Sequence, residues 1–240
     1  HQLDLLIATC RDPAADLRLI DRLYKGRRVD GFLLIDLRRR DPRIAHLQAA
    51  GIPFVAFGRT EADGAFPWVD VDGAAGMRQA VAYLAGKGHR RIAYLSAPLT
   101  FTFAYHRLEG YRQGMQEAGL PLDERLIRSA RLTMEGGYEA TRALLAEGAP
   151  FTALLAATDL MALGAMRALH EAGRAPGREV AVIGFDDSPL AAQAHPPLTT
   201  LRQPMDQIGE ALVRAWLAAV NGEQPEPVLL PPTLILRESA

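Results

Sequence analysis

The sequence predicts an α/β protein, with parallel sheets flanked by helices and divided into two lobes. Three observations carry this. Strand-like and helix-like segments alternate from end to end through short loops, the pattern of parallel strands joined by helical crossovers. The runs Val180-Ala181-Val182-Ile183 and Phe32-Leu33-Leu34-Ile35 are apolar throughout, as in strands buried on both faces. Finally, the alternation breaks near Ala97-Pro98 and starts again beyond it.

In chain order, a strand over 3–10 precedes an amphipathic helix over 13–26, with Leu17, Ile20, Leu23 and Tyr24 on one face. A buried strand (31–36) leads to a helix ending near Ala50, and Gly51-Ile52-Pro53 turns into a strand over 54–57. A short strand (68–71) reaches Asp72, read as the N-cap of a helix over 73–87 that Gly88-His89 closes. Strands are then expected over 91–96, 126–132, 151–156 and 180–185, alternating with helices over 105–118, 135–147 and 159–172. After Pro196-Pro197 a short extended run (198–201) follows, Pro204 opens a long helix to Asn221, and 227–236 is extended.

Composition narrows the function. The chain has 240 residues, enough for one large or two small cores. A net charge of −1 leaves no basic footprint for nucleic acid. No apolar run reaches the roughly 18 residues of a membrane helix. Cys10 is the single cysteine, which rules out an internal disulfide and leaves no partner cysteine for a thiolate metal site; a reducing compartment is compatible with this. His46, His89, His106, His170 and His195 show no metal-ligand spacing, and no G-x-S-x-G elbow or phosphate loop occurs. No cofactor, metal or catalytic residue is expected. The glycines at 73 and 76 read as a helix start.

The stretch 179–203, EVAVIGFDDSPLAAQAHPPLTTLRQ, concentrates the chemistry. Its strand ends in Asp186 and Asp187, at the edge where open α/β sheets bind ligands. Asp186 suits paired hydroxyls. Asp187, ahead of Ser188-Pro189, suits a helix cap or a loop ion pair.

TALLAATDLMALGAMRALHEAG, VAVIGFDDSPLAAQAHPPLTTLRQPMDQIGEALV and LLPPTLILRES resemble the effector-binding core of lactose-repressor-type (LacI/GalR) regulators. RRVDGFLL, GIPFVAFGR, GKGHRRIAYL and HRLEGYRQGM match the same pattern in order, so the resemblance covers essentially the whole chain. It implies two Rossmann-like lobes joined by three crossover segments, as in type I periplasmic binding proteins. The N-terminal lobe would comprise 1–97 plus 201–223 and the C-terminal lobe 98–200 plus 224–240. It further implies a cytoplasmic homodimer whose interlobe cleft takes a sugar or related metabolite and shifts operator affinity, with contact between subunits near Leu190-Ala191-Ala192. The family's helix-turn-helix headpiece and first βα unit have no counterpart here, so operator DNA is expected to be touched only through a headpiece outside this sequence. The alternative is a periplasmic sugar-binding protein of a transporter; the stretch 198–210 fits the regulator better.

The same resemblance places Arg107 and Asp186 on the effector. Arg107 follows an aromatic lead-in of Phe101, Phe103 and Tyr105, and its fork suits vicinal hydroxyls or a carboxylate; a surface helix arginine is the plainer reading. Thr158 and Asp159 share a strand-to-helix turn, one as N-cap and the other facing ligand. Trp68 serves as a stacking face for sugar or as core filler. Arg59 ends a strand and suits an anionic or highly hydroxylated ligand. Gln203 reaches ligand or caps the following helix.

Overall fold

A computed structural model describes residues 3–9, 12–60, 65–148 and 150–240. The chain forms two compact units, His1–Asp70 with Asp206–Leu229, and Val71–Met205 with Leu230–Ala240. It therefore passes between them three times, as the resemblance implied.

In the first unit, α1 (Pro13–Lys25), β1 (Phe32–Leu34), α2 (Pro42–Ala49), β2 (Phe54–Phe57) and β3 (Trp68–Val71) follow in order. β1 and β3 flank β2 in parallel, with Phe32 opposite Phe54 and Ala56 opposite Trp68. The β2 sequence FVAF lies between neighbours on both sides, so three of its four residues are buried. Ile20, Leu34, Ile44, Leu47 and Phe54 meet in the core, where Phe66 stacks on Phe54 at 6.0 Å. Asp41 starts α2 by accepting from the backbone N–H groups of Arg38 and Arg43, both at 3.1 Å, and Pro42 at the first turn needs no donor partner.

The expected strand over 3–10 is not formed. Residues 3–9 carry no strand, and Leu5 and Ile7 are 83% and 82% exposed; Cys10 lies outside the described residues. An apolar run becomes a strand only where a neighbour supplies a ladder, and no ladder among the described residues includes it.

The second unit holds α3 (Gly73–Gly86), β4 (Ile92–Ser96), α4 (Thr102–Glu117), a 3-10 turn (Glu124–Leu126), β5 (Ile127–Ser129), α5 (Met134–Ala146), β6 (Ala153–Ala156), α6 (Asp159–Glu171), β7 (Ala181–Asp186), α7 (Pro189–Gln193) and β8 (Thr199–Arg202). After α8 (Met205–Val220) the chain adds β9 (Val228–Leu230), which joins the first sheet beside β3, and then β10 (Thr233–Ile235). The second sheet runs β10-β8-β7-β6-β4-β5, parallel except for antiparallel β10. β4 is the switch point: the chain leaves it for β5 on one side and returns to β6 on the other. Right-handed crossovers place α4 on one face and α5 and α6 on the opposite one, in keeping with the packing of α3 on α4 and α5 on α6. The all-apolar β6, ALLA, is wholly buried. Tyr94 and Tyr111 stack at 4.9 Å beneath α4, and the Tyr111 hydroxyl donates to Ile92 O at 2.8 Å.

The first unit is thus shorter than the expected 1–97. β4 pairs with β5 and β6, so the second sheet begins one βα unit earlier than the break at Ala97-Pro98 implied. Asp72 does cap α3, accepting from Ala75 N at 3.0 Å. No helix among the described residues is long and apolar enough to cross a membrane, and none of their His, Cys, Asp and Glu side chains group as a metal site.

Candidate functional site

Ligand-binding groups of an open parallel sheet collect at the C-terminal strand ends beside the switch point. In the second unit that corner lies after β4, β6 and β7. Arg107 reaches it from the second turn of α4. Its stem passes the start of α3 at Gly73, where a Cβ would stand 2.9 Å from Arg107 Cγ. Its Nη1 donates to the carbonyl of Ala157, just past β6. The guanidinium carbon lies 3.4 Å from the Phe185 ring centroid and 4.9 Å from that of Phe103. A planar delocalised cation can stack flat on such aromatic faces, which the point charge of a lysine cannot. Phe101, just ahead of α4, stacks on Phe103 at 5.8 Å and extends the aromatic column.

Asp186 ends β7 beside this cation, with Oδ1 at 3.8 Å from Arg107 Nη2 and accepting from Gln203 Nε2 at 2.7 Å. Its side chain is 34% exposed against 7% for Arg107, so the carboxylate is the accessible part of the pair. Burial pushes its carboxyl up; Arg107, Gln203 and the Asp159 N–H act against that. The backbone is strained as well, with φ of 121° at Asp186 and 54° at Asp187, a region that L residues rarely adopt.

Asp187 is an ion-pair residue, not a cap. Its carboxylate accepts from Arg202 Nε and Arg237 Nη2, each at 2.6 Å. Burial works against the charge, but these two cations leave the carboxyl below its usual range. Thr158 caps α6, its Oγ1 accepting from Met161 N at 3.4 Å. Its neighbour Asp159 is 1% exposed, with its oxygens taken by Ser188 N and Thr200 Oγ1; it does not face outward as a ligand group would. The Gln203 side chain is turned to Asp186, to which its amide donates.

Arg59 and Trp68 belong to the first unit. Arg59 Nε lies 3.5 Å from Asp70 Oδ2 at the ends of β2 and β3. Trp68 is half-buried and packs against the hydrophobic core. The sequence reading missed Asp70, Phe185 and the Ala157 carbonyl. Phe185 stood next to the acidic tip, but its pairing with an arginine 78 positions earlier leaves no local signal. A backbone carbonyl leaves none at all.

The periplasmic binding protein-like domain model matches residues 81–240. The chain belongs to that family, as an effector-binding core of the LacI/GalR type. It is 39% identical over 218 residues to the HTH-type transcriptional regulator CelR of Thermobifida fusca, covering 89% of this chain and 64% of that protein. A CelR–cellobiose complex superposes with a TM-score of 0.89 at 36% identity, over 94% of this chain and 70% of the other. A LacI-family regulatory protein from Chloroflexus aggregans gives 0.87 at 41% identity, over 94% and 82%. The lac repressor dimer bound to operator and an anti-inducer gives 0.86 at 29%, over 96% and 80%. The chain thus spans just under two thirds of the length of the curated relative CelR. These relatives are regulators rather than enzymes or transport proteins.

Proposed function

We propose that this chain is the effector-sensing core of a bacterial DNA-binding transcriptional regulator, acting as a repressor in the cytoplasm. Its effector is an uncharged sugar, and Asp186 and Arg107 are its principal contacts. Gln203 orients Asp186, while Phe103 and Phe101 back the arginine.

The observation that carries this reading is the balance of charge at the corner. Among the described residues the corner holds three guanidinium groups and three carboxylates: Arg107 faces Asp186, Arg202 and Arg237 face Asp187, and Asp159 lies beside them on neutral donors. A site already neutral in itself favours a polyhydroxylated ligand over a phosphate or carboxylate, because an added charge would be buried without a partner. In the first unit Arg59 is likewise matched by Asp70. The cellobiose complex of CelR supports the same ligand class. The operator complex of the lac repressor dimer supports a homodimer that acts on DNA, in which sugar binding biases two conformations of differing operator affinity. DNA contact is assigned to a helix-turn-helix segment of the longer protein.

The test is a thermal-shift and calorimetric series with cellobiose, other uncharged mono- and disaccharides, and their phosphates. An uncharged sugar should raise the melting temperature and bind with defined stoichiometry. Binding confined to the sugar phosphates would refute the reading.

A further inference from the structure

Asp159 is a buried carboxylate with no cation paired to it among the described residues. The ion pairs of this corner end on its neighbours: Arg107 faces Asp186, while Arg202 and Arg237 face Asp187. Asp159 receives neutral donors instead. Its Oδ2 accepts from Ser188 N at 2.7 Å and its Oδ1 from the Thr200 hydroxyl at 2.5 Å. Thr200 Oγ1 accepts in turn from Asp187 N at 3.4 Å. Gly184 makes the room, since a Cβ there would collide with Asp159 Oδ1.

These contacts grip the chain around Asp186 and Asp187, the two consecutive residues at positive φ. Such a turn persists only where its surroundings over-determine it. Ser188 is held on its C-terminal side, and β8 is held alongside it through Thr200.

We propose that Asp159 is the positioning residue of the site: its carboxylate clamps Ser188 and Thr200, holding the Asp186–Asp187 turn in the strained shape that presents Asp186. This rests on the reading of Asp186 as the effector contact.

A side chain selected only to brace the fold would not need a charge here. Burial pushes the Asp159 carboxyl up to about 6, and the facing charge of Asp186 adds to this. A folded-state value above the ordinary 3.8 means a stability contribution fully present below 3.8 and lost as pH rises through about 6. At pH 7.5 the ionised clamp is therefore kept at a cost to global stability.

The experiment uses Asp159→Asn and Thr200→Val without any ligand. Thermal unfolding is followed at pH 7.5 and pH 4, and amide exchange of residues 184–193 by mass spectrometry at pH 7.5. Asp159→Asn should melt above the parent protein at pH 7.5, lose that advantage at pH 4, and yet exchange about ten-fold faster across 184–193, the equivalent of one hydrogen bond. Thr200→Val, which keeps the volume and removes the hydroxyl, should speed exchange likewise. Opposite movements of global melting and local protection are the signature of a positioning role. If Asp159→Asn lowers the melting temperature in step with faster exchange, or if neither variant alters exchange, the proposal is overturned. Because no ligand is present, that failure leaves the sugar-binding reading intact; absence of sugar binding in the calorimetric series alongside the expected exchange pattern would instead remove the sugar-binding reading and leave Asp159 as a brace of the turn.

Discussion

Replacing Arg107 by alanine is the sharpest perturbation of the proposed site. One guanidinium nitrogen is committed to the Ala157 carbonyl, and the group stands 3.8 Å from Asp186. A sugar hydroxyl bonded to such a cation gains a charge-assisted hydrogen bond of about 1.5–3 kcal/mol. Removal also takes away the cation that faces Asp186 and favours its ionised form, while the Gln203 hydrogen bond stays. Arg107→Ala should therefore weaken sugar binding by about 1.5–3 kcal/mol, roughly 10- to 150-fold in Kd. Titration calorimetry against the best uncharged sugar, with cellobiose tried first, measures it. Arg107→Lys separates charge from shape: it keeps the cation but loses the planar fork between Phe185 and Phe103, and should recover only part of the affinity. A folded Arg107→Ala protein whose Kd stays within about twofold of the parent would refute the assignment.

Two other outcomes are expected. Burial raises the Asp186 carboxyl, so its ionised form is lost on acidification at a higher pH than an ordinary carboxylate; sugar affinity should fall as pH drops, whereas Asp186→Asn should bind weakly with a flat pH profile in calorimetry. Gly110→Ala would drive a methyl into the Ala74 backbone where α4 crosses α3; overpacking of this kind costs about 1–3 kcal/mol, read as a lower denaturant midpoint, and an unchanged midpoint would show that the two helices can separate freely.

Much of this protein was legible in its sequence because local chemistry and tertiary structure agree. Asp72 reads as a cap and is one. The uninterrupted apolar runs at β2, β6 and β7 are buried strands for the same reason that they lack alternation. What failed depended on partners distant in the chain. Residues 3–9 have strand composition and no ladder. The boundary at Asp70 was invisible because a crossover strand carries the same apolar pattern on both sides of it. For Asp187 the sequence left a helix cap and a loop ion pair open, and the partner that decides for the ion pair, Arg237, lies 50 positions later. At Thr158-Asp159 the sequence offered one cap and one ligand group; burial decides it, with Thr158 capping α6 and Asp159 turned inward.

The most direct measurement is a crystal structure of the chain with an uncharged sugar, cellobiose being the first choice. Two neighbouring hydroxyls should lie within about 3 Å of the Asp186 carboxylate and the Arg107 guanidinium, with Gln203 still on Asp186. A sugar bound elsewhere, touching neither Asp186 nor Arg107, would contradict the proposed site.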